Sequence, residues 1–231
     1  MRSVSRAVRT LALVGLLVPA AAQAQTSNIE LRPPLTQEQF EQFAADLGSM
    51  LRFRQPGDAT MLERGTVDLS VQFANARFHD SRPFPQVVAR FGVNRRLDIG
   101  AWGGIDPNAN YGMVGVDTKI ALLREGPSMP VSVTVRPSLT SLVGPSDVWA
   151  GNVSVDLAVS RAIGSFTPYG GVAASSSGAI ERSSEIHLDP VSAGTTVAYA
   201  GTAYRWRSLL VSGEIERGNE TTYAVRVGKR F

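Results

Sequence analysis

The sequence has no cysteine and only two histidines, His79 and His187, in 231 residues. The absence of cysteine excludes a disulfide framework, thiolate catalysis, Cys-based metal sites and a lipid-anchored Cys behind a leader. Long apolar runs are missing too. The longest is residues 11–22, short of the roughly 20 residues a membrane-spanning helix needs. Net charge is scarce once the first residues are set aside. The stretch "MRSVSRAVRTLALVGLLVPAAAQAQ" places Arg2, Arg6 and Arg9 before that apolar run and ends on Ala22-Gln23-Ala24. This order predicts a secretory signal peptide over residues 1–24. The whole chain carries 23 basic and 20 acidic residues, and three of the basic ones lie in the leader, which leaves 20 against 20. The pI of 9.6 therefore belongs to the precursor and implies no nucleic-acid partner.

What is present divides into two parts. Residues 25–64 open with Pro33-Pro34, and Thr36 with Gln39 has the form of a capping box. Phe40, Phe43, Ala44, Leu47, Met50 and Leu51 then recur at helical spacing, with Glu38, Glu41, Gln42 and Asp46 opposite. The pattern predicts an amphipathic helix near 36–47, ended by Gly48, with a possible short strand in "SMLRFRQ" and a turn at Pro56-Gly57-Asp58.

From residue 65 to 231 the period becomes two. Val67, Leu69, Val71 and Phe73 alternate with Asp68, Ser70, Gln72 and Ala74, and the same rhythm recurs down the chain. It predicts ten strands of about the length that crosses a bilayer at a tilt. Connections after even-numbered strands read as tight, near 94–96, 125–128, 161–164 and 205–207. Those after odd-numbered strands read as longer, at 79–85, 103–111, 141–147 and 179–193, with 217–220 short. Short turns at one end and longer loops at the other is the asymmetry of membrane barrels. Aromatics gather near strand ends. Phe78, Phe84, Trp102, Tyr111, Trp149 and Tyr223 fall toward the long loops; Phe91, Phe166, Tyr204, Trp206 and Phe231 fall toward the short turns. Two such rows read as interfacial girdles.

The chain finishes "YAVRVGKRF". With Ala22-Gln23-Ala24, the terminal Tyr223, Val225, Val227 and Phe231 resemble bacterial outer-membrane β-barrel proteins. The resemblance covers residues 66–231 and implies an all-β, antiparallel, up-and-down transmembrane barrel of about ten strands, with eight or twelve as alternatives. It also implies residence in the bacterial outer membrane, with outer-membrane lipid as surroundings. The terminal row looks like the signal read by the barrel-assembly machinery. The helix of the 25–64 segment is then expected in the periplasm or at the barrel's lower mouth.

With apolar parity outward, the lumen receives Asp68, Arg90, Asp98, Asp117, Lys119, Arg136, Asp156, Glu214, Glu216, Arg226 and Arg230. Six are acidic and five basic, a near-balanced set that suits a paired network inside a narrow barrel. The same positions fit a narrow polar pathway for small solutes, with Gly92, Gly100, Gly115 and Gly228 leaving gaps for water. A barrel hydrolase using His79 or His187, each with an acid nearby in "HDS" and "HLD", is a further class. Asp106, Asn108 and Asn110 have the first spacing of a calcium loop without its glycine and distal Glu, so no metal is expected. No cofactor is expected either. The reading is a non-enzymatic outer-membrane barrel, structural or a narrow passive pore, with a soluble exported β-sandwich or small barrel as the alternative fold.

Overall fold

A computed structural model describes residues 36–51, 57–75, 83–105, 111–183, 187–218 and 221–231. One helix, α1 (Gln37–Leu51), precedes ten strands: β1 (Val67–Asn75), β2 (Pro83–Asn94), β3 (Leu97–Ile105), β4 (Gly112–Leu123), β5 (Ser132–Val143), β6 (Val148–Ser160), β7 (Phe166–Glu181), β8 (Val191–Trp206), β9 (Leu209–Arg217) and β10 (Thr221–Arg230). Each strand pairs antiparallel with its neighbours in sequence, and β1 pairs with β10, so the sheet is a closed barrel. Closure leaves no row of unpaired backbone groups, as a sheet surrounded by lipid requires.

The wall has two chemistries because side chains alternate. Val71, Phe73, Val116, Leu139, Val153, Val155 and Val225 face outward and are exposed. Their neighbours Ser70, Gln72, Asp117, Thr140, Asn152, Ser154 and Arg226 face inward and are buried. A soluble β-domain would have the reverse arrangement, so the soluble alternative does not fit this chain.

Strands run further than the alternation alone indicates, which shortens the loops. On the odd side the first connection shifts to 76–82 at the same length, and the others shrink to 106–111, 144–147, 182–190 and 218–220. The even-side turns are 95–96, 124–131, 161–165 and 207–208. The connection at 124–131 is longer than the expected tight turn, and Gly126 and Met129 bridge within it. The asymmetry between the two ends survives, though weaker than the sequence predicts.

The girdles are only half as expected. Phe91, Phe166, Tyr204, Trp206 and Phe231 are all exposed around the short-turn end, and Phe166 and Tyr204 meet with ring centroids 4.9 Å apart. At the long-loop end Trp149 and Tyr223 are exposed, but Trp102 and Tyr111 are buried inside. The Phe84 side chain and Phe78 lie outside what is described. Trp102 shares the parity of Asp98 and Gly100, and that parity outweighs its place near a strand end.

The helix is where the sequence expectation fails most clearly. Thr36 accepts from the Gln39 backbone N–H at 3.3 Å and donates its own to Gln39 Oε1 at 3.0 Å, which starts the helix as a capping box does. The helix continues through Gly48 to Leu51. Its apolar face, Phe40, Ala44, Leu47, Met50 and Leu51, packs on Tyr111, Met113, Leu142, Val148, Ala150 and Ala179. Those residues line the inside of the barrel at the long-loop end. The helix is therefore not a cap on the short-turn mouth but fills the opposite one. Inward positions there are apolar and offer the surface that the helix covers. Gly48 is needed for close approach rather than termination: a Cβ there would lie 2.9 Å from Ser177 Cβ. Of the short strand considered in "SMLRFRQ", Ser49, Met50 and Leu51 are helical, and 52–55 lie outside the described residues.

Candidate functional site: the charged lumen

Residues 57–62 lie inside the barrel and lead toward β1, which starts at the short-turn end. Four hydrogen bonds to three wall side chains hold them. Lys119 Nζ donates to the carbonyl oxygens of Asp58 at 2.7 Å and Thr60 at 2.6 Å. Leu62 donates its backbone N–H to Asp98 Oδ2 at 3.2 Å, and Ala59 donates to Ser160 Oγ at 3.1 Å. A buried segment without secondary structure has backbone groups to satisfy, and these wall side chains supply the partners.

Most of the remaining wall charges pair, across neighbouring strands or, for Arg90 on β2 and Asp117 on β4, past β3. Arg90 Nη2 meets Asp117 Oδ2 at 2.7 Å, and Arg136 Nη2 meets Asp156 Oδ2 at 2.5 Å. Tyr199 donates to the other Asp156 oxygen at 2.5 Å. Arg226 reaches Asp68 Oδ1 at 2.6 Å and Ser70 Oγ at 2.7 Å, while Arg230 reaches Asp68 Oδ2 at 3.2 Å. The register explains three of these pairs: Arg136 stands directly opposite Asp156, Asp68 stands opposite Arg230, and Arg90 and Asp117 both stand opposite Gly100 of β3. Glu214 and Glu216 are buried on β9. All eleven inward charges thus lie on the inner wall, Arg230 half-buried at the short-turn rim and the others buried.

Uncharged groups complete the lining. Gln72 donates to Gln86 Oε1 at 2.5 Å, and Asn152 donates to Ser177 Oγ at 2.7 Å. Ser177 in turn donates to the Gly48 carbonyl at 3.3 Å, tying the wall to the helix.

The inward glycines do not leave water-filled gaps. A Cβ on Gly92 would overlap the Glu63 carbonyl, and one on Gly115 would overlap the Trp102 ring. On Gly100 it would lie 2.7 Å from Asp117 Oδ1, and on Gly228 2.7 Å from Ser70 Cβ. Each glycine makes room for a neighbour that occupies the space. The cavity among Asp58, Asp68, Lys119, Arg136 and Arg226 measures about 20 Å³, room for a water molecule and little else. A polar vestibule of about 380 Å³ opens at the short-turn end between Arg124, Ser165, Arg205 and Arg207, and Thr60 and Met61 form its floor. The larger apolar groove, about 620 Å³, is on the outer wall over Phe91, Ile99, Val116 and Leu139.

The sequence reading missed the inner segment. Asp58, Thr60 and Leu62 show no periodicity, so nothing marked them as lumen residues. Met113, Leu142, Val148 and Ala150 did carry a signal: they are apolar on the inward parity. Of the other candidates, His187 is exposed in the β7–β8 connection. His79, Asp106, Asn108 and Asn110 lie outside the described residues. No group of three or more metal-ligating side chains occurs among the described residues.

No protein-family model matches the chain. No curated protein matches it. Solved structures of similar fold include the translocator domain of the autotransporter NalP from Neisseria meningitidis, at 12% identity over 84% of this chain and 94% of that one, TM-score 0.42. Ail of Yersinia pestis, crystallised with the heparin analogue sucrose octasulfate, is 13% identical over 73% and 99%, TM-score 0.36. The outer membrane protein OprG of Pseudomonas aeruginosa is 7% identical over 76% and 99%, TM-score 0.35. The wall itself decides the fold: the chain is a closed, antiparallel β-barrel, apolar outside and ion-paired within, the arrangement of a barrel that stands in lipid.

Proposed function

We propose that the protein is a closed, non-enzymatic outer-membrane scaffold whose N-terminal segment is its internal plug. The observation that carries this reading is Lys119 bonded to the carbonyls of both Asp58 and Thr60 in the middle of the lumen. A solute pathway would have to break those bonds and the ion pairs around them. Breaking a buried ion pair by removing one partner costs about 3–5 kcal/mol. The long loops face the cell exterior and the short turns the periplasm, following the asymmetry of such barrels. The outward row Tyr223, Val225, Val227 and Phe231 is exposed and is the surface offered to the barrel-assembly machinery.

Planar-bilayer conductance tests the reading. The intact protein is expected to give no steady channels, and a variant lacking residues 36–62 is expected to conduct. Steady ohmic conductance by the intact protein would overturn it in favour of a narrow passive pore, the reading that the 380 Å³ vestibule favours. Catalysis has less support: among the described residues no carboxylate bonds or ion-pairs with His187, and its neighbour Asp189 gives its backbone N–H to Gln37 Oε1.

A further inference from the structure

Among the described residues the two ends of the barrel differ in charge. At the long-loop end the described acids Glu38, Glu41, Asp147, Glu181 and Asp189 outnumber the cations Arg182 and Arg217. At the short-turn end the balance reverses. Arg95 and Arg96 form the β2–β3 turn, and Arg161 and Arg207 lie in the two later turns. Arg124 and Lys229 stand on the same rim, and all six are exposed. The exposed acidic side chains of this end are Glu63 and Glu125, and the Glu125 carboxylate already accepts from the Ala162 backbone N–H at 2.9 Å.

Two observations place this rim at a lipid surface rather than in open water. Arg207 lies over the Trp206 ring, 5.5 Å from its centroid, and Lys229 lies over Phe231 at 5.0 Å. Both rings point outward and are more than half exposed. Cations held against them occupy the perimeter at the depth where an aromatic belt meets headgroups. The five exposed aromatics described above form that belt at this end.

We propose that the short-turn rim binds anionic phospholipid headgroups, the phosphodiesters of the leaflet on that side, through Arg95, Arg96, Arg161 and Arg207 with Lys229. A ring of cations beside an aromatic belt complements a negatively charged leaflet and gains nothing from a zwitterionic one. Binding holds the barrel at one depth and favours the folded state by mass action, because only the folded chain brings the turns together.

The test reconstitutes the full protein in vesicles of phosphatidylcholine alone and of phosphatidylcholine with about 30 mol% phosphatidylglycerol of matched chain length. Urea unfolding is followed by the gel shift between folded and heated protein. The midpoint is expected to be higher in the anionic vesicles. That increment should vanish in ~1 M salt, where the screening length is about 3 Å. The variant R95Q/R96Q/R161Q/R207Q should lose the increment while keeping the phosphatidylcholine midpoint, and R182Q/R217Q at the opposite end should retain it. Should the fourfold variant not fold, R161Q/R207Q carries the same comparison and is expected to lose part of the increment. Equal midpoints in the two vesicles, or an increment undiminished in the rim variants, would overturn the proposal. So would equal stabilisation by soluble glycerophosphoglycerol added to phosphatidylcholine vesicles, since the ligand would then be a free anion and not the bilayer.

Discussion

Val67 and Phe231 close the barrel by exchanging backbone hydrogen bonds, Phe231 N–H to the Val67 carbonyl at 2.9 Å and Val67 N–H to the Phe231 carbonyl at 3.2 Å. The last residue is thus the end of the β1–β10 seam, with its ring turned outward and 60% exposed. Two variants separate the roles of backbone and ring. Deleting Phe231 removes both bonds and leaves the Val67 N–H and carbonyl without their partners on the β10 side, so the folded fraction after refolding into vesicles should fall. Phe231→Ala keeps the bonds and should fold in vesicles much as the parent does. If the ring is what the assembly machinery reads, Phe231→Ala should nevertheless accumulate poorly in the outer membrane of cells. Equal membrane levels for parent and Phe231→Ala would count against that role.

Arg136 and Asp156 stand opposite each other on β5 and β6, both buried. Arg136→Met strands a carboxylate whose other oxygen accepts from Tyr199. The expected destabilisation is about 3–5 kcal/mol, the cost of leaving a buried charge without its partner. Arg136→Met with Asp156→Leu removes both charges and should recover most of that loss, because a buried pair and an apolar pair of similar volume are close in stability. Urea midpoints of the two single variants and the double variant measure the coupling. Additive losses would mean that the two charges act independently.

Strand number and parity were legible because the two faces of the wall meet opposite environments, and alternation records that at every residue. Val67 to Phe73 on one side and Asp68 to Gln72 on the other is enough to place β1. The helix was legible from Phe40, Ala44 and Leu47, but its place was not. An apolar stripe says that something covers it and does not say what. The missing partner was written in the inward parity of Met113, Leu142 and Val148, which reads as a fault in the polar pattern until a helix is put against it. The descending segment was illegible for a different reason. Its bonds are made by backbone atoms of Asp58, Thr60 and Leu62, and backbone atoms leave no mark on residue type.

Gly115 faces Trp102 across β3 and β4, and the indole lies over the glycine. Tyr169 covers Gly201 and Tyr199 covers Gly171 in the same way between β7 and β8, each ring directly opposite its glycine. Such pairs pin register, because slipping a strand drives the ring into a Cβ. Gly115→Ala should therefore destabilise the barrel by about 1–3 kcal/mol, the usual cost of overpacking. Adding Trp102→Leu to Gly115→Ala should relieve part of it. A Gly115→Ala barrel with an unchanged urea midpoint would show that the ring moves aside freely.

The helix start is tied to the β7–β8 connection. Gln37 Nε2 donates to the Asp189 carbonyl at 3.3 Å, and the Asp189 N–H returns to Gln37 Oε1 at 3.0 Å. The exposed face of the first turn, including Glu38, is therefore at the long-loop mouth, while Arg95 is at the far end of the wall. A chain without cysteine makes this separation measurable with single substitutions. In intact cells, Glu38→Cys should react with a membrane-impermeant maleimide and Arg95→Cys should not; after the outer membrane is opened, both should react. The opposite pattern would turn the barrel over, putting the short turns outside. Labelling of neither residue in intact cells, with both reacting after opening, would mean that the helix leaves the long-loop mouth in the membrane, and the plug would lose its upper half.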